Sequence, residues 1–521
     1  MTQHDNASAL NSSASAGTAA TTTGGRHSLK PGSIGLIGIL LLAFSSAAPL
    51  VGSLGNIPFA IAFGNGSHAP GGFVIVTAIL LLFAVGYVAM ARKLTAAGGF
   101  YSFISHGLGR PLGLAAGFSA VLGYLCVEMA LLGAIGYFGA QTFLAEFHLH
   151  VPWLVFAGVD LALATLATYF GVELSAKVLG VLFLFEITSL FVIDFAILIK
   201  GGAHGVSAAP LNPVDAFKGV APGIGIFFAF WSWLGFEVVP NYAEESRDPK
   251  RLVPLGTYLA VIGLGVIYTL TAWAGVVGFG VNESVSQTTK QLGNSYFLLA
   301  HQFVGAWAET SINWLVLTSS FACTLAFHQT VSRYLYAIAR EKVVLPQLLA
   351  RTHPRHRSPH TGALATCAAA ALGIAAFTVF YYTSGSARAF APTFDAAAYS
   401  EVFGWLAIAC TFWVMLNQVL CSLAVIRFHW LPENRADFHW WRTLIAPLAG
   451  AAGMGFALYL LWSNLPTLGG DIVWVRAIPW VCIAWFLASL ATAFWLRARR
   501  PQAYAGLGRI MAQTEISVEV V

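Results

Sequence analysis

The sequence predicts an all-α polytopic membrane protein with twelve transmembrane helices, and three observations carry that reading. Hydrophobic residues make up 57% of the 521 positions and charged residues only 9%, against roughly 25% charged in soluble domains. Apolar runs bounded by Gly, Pro or charge recur along the chain, each near the ~20 residues that a helix needs to cross a ~30 Å hydrocarbon layer. The basic residues gather on alternate links between those runs, as the positive-inside rule requires.

In order, the spans lie near 33–63, 70–91, 112–144, 151–170, 176–199, 219–245, 254–280, 311–338, 360–382, 400–427, 443–463 and 474–496. The first thirty residues are rich in Ser, Ala and Thr and lack an apolar core, so they read as a disordered cytoplasmic tail (1–30) and not as a signal peptide. The membrane domain then covers 31–500, with a first five-span set over about 33–199, a second over about 219–427 and a closing pair over 443–496. Residues 501–521 form a second cytoplasmic tail. With the N-terminus inside, only Lys200, Lys218, Lys290, Arg388 and Arg476 of the 27 Lys and Arg fall outside. The expected location is therefore the cytoplasmic (inner) membrane, with both termini cytoplasmic. Topology accounts for the +5 charge balance, and the lack of a single basic face argues against a nucleic-acid partner. The six cysteines all sit in apolar runs, with no CxxC and no metal-ligand spacing. They read as small packing residues, and neither a metal nor a cofactor is expected.

Two spans are interrupted. Span 1 carries Ser45, Ser46, Ala47, Ala48 and Pro49 near its middle, small residues before a proline that removes a donor and disturbs the helix behind it. Span 6 runs uncharged from Gly219 to Phe236 but contains Gly223, Gly225, the triplet Trp231, Ser232 and Trp233, then Gly235, Glu237 and Pro240. Unwound backbone at membrane depth survives only where protein or a watery cavity surrounds it. Spans 1 and 6 each open a five-span set. Paired interruptions at corresponding positions point to a carrier's binding site between inverted repeats, and the odd count turns the two halves opposite ways.

Each break bares helix ends, positive at the N-termini and negative at the C-termini. A small molecule with a carboxylate and an ammonium suits both, an α-amino acid most simply, with a peptide or betaine meeting part of the description. Phe230, Trp231 and Trp233 offer rings beside the second break, and since Trp231 and Trp233 point to different sides of a helix, at most one faces the ligand.

Ionisable groups inside spans are costly and therefore functional suspects. Glu128 in span 3, Glu186 and Asp194 in span 5, and Glu237 in span 6 qualify. Glu186 lies close to the midplane, where burial penalises the charged form; it is either a proton carrier or a hydrogen-bonded structural carboxyl. Asp194, nearer the outside, is expected in a vestibule or in solvent. Glu237 is expected to pair with a polar neighbour on the cytoplasmic side, and Glu128 has no evident partner. His328 in span 8 is either a satisfied core histidine or a shuttle. The links at 98–113 and 243–254 read as solvated turns and interfacial helices that could latch an inner gate.

The stretch FFAFWSWLGFEVVPNYAEESRDPKRLVP resembles the sixth-span signature of the amino acid–polyamine–organocation family. AGGFYSFISHGLGRPLGLAAGF, FACTLAFHQTVSRYLYAIAREKVVLP, GSIGLIG and GVELSAKVLGVL are similar to that family's link into span 3, its span 8, and the openings of spans 1 and 5. The resemblance implies a LeuT-like fold of inverted five-helix repeats that moves amino acids or related amines by alternating access. The span 1 and span 6 breaks (Ser45 to Ala48, Phe230 to Trp233, Gly235) would hold the substrate. It also implies a span 5 lysine working beside the span 1 break and the span 8 hydroxyls, here Ser319 and Ser320. Glu186 stands where that lysine is expected, and SSAAP replaces the family's usual glycine-rich break.

The reading is then a proton-coupled amino acid importer and not an enzyme, with protons, a small amino acid or amine, and the lipid bilayer as partners. An amino acid or amine exchanger is the near alternative. A non-transporting sensor is the distant one, since the tails supply no regulatory domain.

Overall fold

The computed structural model describes residue 32 and residues 34–94, 98–391, 393–469 and 472–507. The tail expected over 1–30 lies outside the described residues, as do residues 508–521 of the C-terminal tail, which begins with a short helix, Pro501–Gly506. Among the described residues, twelve helices are long and apolar enough to cross a membrane: Leu36–Gly64, Gly66–Ala91, Arg110–Phe147, Trp153–Phe170, Gly180–Ile199, Pro222–Ala243, Pro249–Phe279, Ala306–Arg340, His360–Thr383, Phe394–Trp430, Trp440–Pro466 and Val473–Arg499. They are spans 1 to 12. Several begin on proline (Pro70, Pro111, Pro222, Pro249), where the missing N–H is one that the first turn would leave unpaired anyway. Spans 3 and 10 run to 38 and 37 residues, ~55 Å at 1.5 Å per residue, so they tilt or project past the hydrocarbon.

Burial ranks the spans. In span 6, 94% of the apolar window is buried inside the protein, against 17% in span 9 and 22% in span 12. Span 6 is therefore the axis, and spans 9 and 12 offer most of their surface to lipid. The most extensive helix contacts join spans five apart in order, 3 with 8 and 2 with 7; spans 1 and 6 and spans 4 and 9 also touch. Counterparts meeting across a common centre are what inverted five-span repeats produce. With the first span of each set broken, the all-helical arrangement is LeuT-like.

The link between spans 2 and 3 departs from the solvated turn expected at 98–113. Gly99–Gly107 is a helix whose Phe100, Tyr101, Phe103 and Ile104 are buried, packed against spans 3 and 10. Gly107 lies so close to Ala424 that any side chain there would collide. Its amphipathic aromatics gain more by burial than by lying at an interface. Its counterpart between spans 7 and 8 holds two short helices, Ser284–Gln291 and Ser295–Phe303.

Candidate functional site

Span 1 is two helices, Leu36–Ala47 and Pro49–Phe59, separated by one residue, Ala48, at φ 42 and ψ 71. Pro49 disfavours ordinary helical geometry for the residue before it, and a left-handed alanine costs ~1–2 kcal/mol, so the surroundings must hold the break open. It is narrower than expected, since Ser45, Ser46 and Ala47 stay helical and the Ser46 hydroxyl donates to the Leu42 carbonyl at 2.7 Å. Other spans satisfy the bared carbonyls: the Tyr268 hydroxyl donates to Ala47 O at 2.5 Å and the Cys323 thiol to Ser46 O at 2.9 Å. Cys323 thus does more than pack.

The amides that open the second half-helix are met from spans 5 and 8. Leu50 N donates to Glu186 Oε2 at 3.5 Å and Val51 N to Ser319 Oγ at 3.3 Å, and Ser319 also adjoins the Glu186 carboxyl. Glu186 is fully buried, and its Oε1 has no hydrogen-bond partner among the described residues. A carboxyl group therefore sits at the positive end of a half-helix inside the membrane. Ser320, one residue on, turns back to the Val316 carbonyl at 2.8 Å.

Span 6 breaks differently. The helix Pro222–Trp233 ends at Leu234, Gly235 takes φ 115, and the chain continues as a 3₁₀ helix over Phe236–Glu245. Glycine is required at 235 for its backbone and for space, because a Cβ there would lie 2.5 Å from the Ser46 Cβ. The two breaks touch at this point. Glu237 closes the second one from within its own chain, accepting from Gly235 N at 3.1 Å, while Tyr124 of span 3 donates to its other oxygen at 2.9 Å. The polar neighbour expected for Glu237 is thus Tyr124, and the carboxyl acts as a cap.

Between the breaks lies a hollow of about 20 Å³, lined by Ser46, Ala47, Ala48, Val51, Gly52 and Asn56 of span 1, Val127 and Leu131 of span 3, Trp231 and Leu234 of span 6, Cys323 and Phe327 of span 8, and Phe403 of span 10. That is room for about one water, so anything larger requires the spans to part. Trp231 lines it, edge-on to Phe403 with centroids 5.7 Å apart. Trp233 points the other way, its Nε1 donating to Val261 O at 3.3 Å and its ring against Tyr268. Ser232 stands behind the wall and accepts from Asn56 Nδ2 at 2.9 Å. Ser45 and Phe230 are buried but do not line the hollow.

Backbone and aromatic contacts tie the two broken spans to their neighbours on either side of the hollow. Toward one face, Ile34 N donates to Glu245 O and Arg247 N to Ile34 O, each at 3.0 Å. There the buried Arg333 grips the Glu245 carboxylate through Nε (2.9 Å) and Nη2 (3.2 Å) and lies over the Tyr242 ring. The charge pair at the 243–254 link is present and buried. Toward the other face, Phe59 stacks on Phe228 and Tyr399 on Phe403.

Two readings of the intramembrane carboxylates are corrected. Glu128 has a partner, His328, whose Nδ1 lies 2.7 Å from Glu128 Oε1 with both side chains fully buried. Asp194 is not in solvent; it is fully buried and accepts from Thr271 at 2.8 Å and from Tyr296 of the link helix. Sequence reading also missed Asp160 of span 4 and Glu401 of span 10, both buried, and the wall residue Asn56. The signal for the two acids was the one that found the others, a carboxylate inside an apolar run. No group of three or more His, Cys, Asp or Glu capable of holding a metal ion occurs among the described residues.

Comparison with known proteins matches the family description "Amino acid permease" to residues 38–419, most of the chain. The chain is similar to the branched-chain amino acid permease BcaP of Bacillus subtilis, 26% identical over 314 residues that span 55% of this chain and 63% of that protein, just under two thirds of it. It is 25% identical over 437 residues to the methylthioribose transporter of Bacillus subtilis, covering 79% of this chain and 83% of that one. The low-affinity putrescine importer PlaP of Escherichia coli is 22% identical over 407 residues, 76% of this chain and 81% of its own.

Proposed function

The chain belongs to the amino acid permease family, and from that premise we propose that it imports amino acids across the cytoplasmic membrane by alternating access, driven by protons through Glu186. The relatives carry amino acids, an amine or a small organic nutrient by name, which supports a carrier of amino acids or related organic substrates. The distribution of Lys and Arg supports cytoplasmic termini.

The observation that carries the coupling is the Glu186 carboxyl on the Leu50 amide. A substrate carboxylate seeks the same positive helix end. An ionised Glu186 competes with it, and a protonated Glu186 yields the site, so proton and substrate load together. The substrate ammonium then faces the carbonyl end of the first half-helix at Ser46 and Ala47. Its side chain meets Val127, Leu131, Trp231, Phe327 and Phe403, a wall without charge that suits an apolar side chain. Loading enlarges the hollow by parting the seals on one face or the other.

The test uses purified protein in liposomes with a panel of amino acids and amines. An imposed gradient of about one pH unit is worth ~1.4 kcal/mol per proton, or ~10-fold accumulation. We expect the wild type to approach that ratio. Glu186→Gln should lose pH-driven accumulation while still exchanging labelled for unlabelled substrate. Proton-driven uptake by Glu186→Gln at the wild-type level would remove Glu186 from the mechanism, and exchange without net uptake in the wild type would make the protein an exchanger.

A further inference from the structure

Span 8 carries a second ionisable centre that the substrate hollow does not use. Ser320, Thr324, His328 and Ser332 recur every four residues and so stand on one face of the helix, all buried. They cover ~18 Å of its length at 1.5 Å per residue. At the upper end of this stripe is Ser319, the neighbour of Glu186. In its middle, Asp160 of span 4 stands beside Thr324 and within electrostatic reach of Glu128. One turn further, His328 Nδ1 and Glu128 Oε1 are 2.7 Å apart. Beyond them Ser332 meets Thr366 of span 9 at 3.4 Å. Cys323 lies within electrostatic reach of both Glu186 and Asp160 and so spans the gap between the two centres.

Three buried ionisable side chains would normally be fully hydrogen-bonded. Here Glu128 Oε2 and His328 Nε2 have no hydrogen-bond partner among the described residues, and the Thr324 hydroxyl beside the two Asp160 oxygens is turned to the Ser320 carbonyl at 3.0 Å, which leaves them open as well. Four open polar atoms in one buried cluster are places for a proton to go, and a permanently structural network would have closed them. Charge bookkeeping favours the same view. With two protons on the three groups the cluster is neutral, either as Glu128⁻, His328⁺ and protonated Asp160 or with both acids protonated and a neutral imidazole. Losing one proton leaves a net negative charge in the membrane interior, which is tolerated only when a proton or other cation is supplied nearby.

The other groups facing the cluster do not cancel it. Span 5 brings Glu186 beyond Cys323, and span 6 brings Glu237 beyond Tyr124, one turn along span 3 from Glu128. Arg333, on span 8 itself, is committed to Glu245. Neither span 1 nor span 9 carries an Asp, Glu, Lys or Arg between its ends.

We propose that Glu128, Asp160 and His328 form a second proton-binding site, linked along the polar face of span 8 to Glu186 and handing its proton toward the face where the basic links lie. The transferred species is a proton only: it leaves one carboxyl or imidazole and binds the next, with the hydroxyls of Ser320, Thr324 and Ser332 able to turn from their helix carbonyls to bridge. The route passes through spans 3, 4, 8 and 9, apart from the substrate's own exit between spans 1 and 6. The proposal rests on the proton-coupled reading above, and its test separates the two.

Purified full-length protein is compared with Asp160→Asn and with His328→Gln, first by infrared difference spectroscopy of the carboxylic-acid band across pH 5 to 9, then in liposomes for substrate-driven proton uptake and for substrate exchange. We expect Asp160→Asn to lose one protonated-carboxyl component and His328→Gln to displace it. We also expect both variants to lose proton uptake by about tenfold or more while exchange stays within about threefold of wild type, which also reports that the variants are folded. If the wild type takes up no protons with substrate but the infrared component still vanishes in Asp160→Asn, the coupling reading fails and the cluster stands as a proton-binding site. If the wild type takes up protons and both variants match it in band and in flux, the cluster proposal is overturned while coupling through Glu186 survives. Variants that lose exchange as well are rescored by the infrared component alone, whose persistence in Asp160→Asn overturns the proposal.

Discussion

The breaks in spans 1 and 6 bare the same kind of backbone ends, yet they are satisfied from different places. Span 1 unwinds at a single alanine, and side chains from elsewhere complete it: Tyr268 of span 7 and Cys323 of span 8 on the carbonyls, Glu186 of span 5 and Ser319 of span 8 on the amides. Span 6 unwinds at a glycine and its amide is capped by its own Glu237, whose carboxyl meets Tyr124 of span 3 and whose carbonyl meets Tyr87 of span 2. A break held by four neighbours changes when any of them moves or changes charge. A break capped from its own chain moves as a unit. For the proposed carrier, this difference suits span 1 to sensing and span 6 to hinging.

Four substitutions test that comparison. Trp233, buried and bonded to Val261, belongs to the packing behind the hinge, so Trp233→Ala should lower stability by ~3–5 kcal/mol. Trp231 faces the hollow, and Trp231→Ala should leave the fold largely intact while raising the substrate concentration for half-maximal thermal protection ~10-fold, the equivalent of ~1.4 kcal/mol. Melting curves of the two purified variants with and without substrate check this, and an exchange of their phenotypes would reverse which face lines the site. Next, Gly235→Ala forces a side chain into an unfavourable backbone region and against Ser46, so a loss of ~1–3 kcal/mol is expected, with uptake falling alongside. Smallest is Ala48→Gly. It relieves a left-handed alanine, partly offset by the freer unfolded chain, so stability should rise by less than ~1 kcal/mol. Equal tolerance of Gly235→Ala and Ala48→Gly in melting temperature would erase the distinction between the two breaks.

Much of the fold was legible because its signals are local. Eighteen apolar residues in a row, a proline after small residues at 45–49, and glycines around a Trp-Ser-Trp are visible without any partner, and each marked a span or a break that the structure contains. The Glu237 cap was half legible, since a polar neighbour was expected but not Tyr124. Asp194 misled because its depth suggested an aqueous vestibule, whereas Tyr296 and Thr271 cover it. Asp160 bears the same local mark as the other acids, a carboxylate inside an apolar run, but its weight comes from Thr324 and Glu128 nearby.

By itself the sequence determined the membrane class, the twelve crossings and the places where two of them fail as helices. These follow from composition, length and the backbone limits of proline and glycine, which act within a few residues. Only the tertiary structure decided that Glu186 meets Leu50 across 136 positions, that His328 meets Glu128 across 200, and that Trp231 rather than Trp233 faces the hollow. Such contacts depend on which helix faces pack together, and in an apolar solvent nearly every face is hydrophobic, so the pattern that marks a buried side in a water-soluble helix is absent.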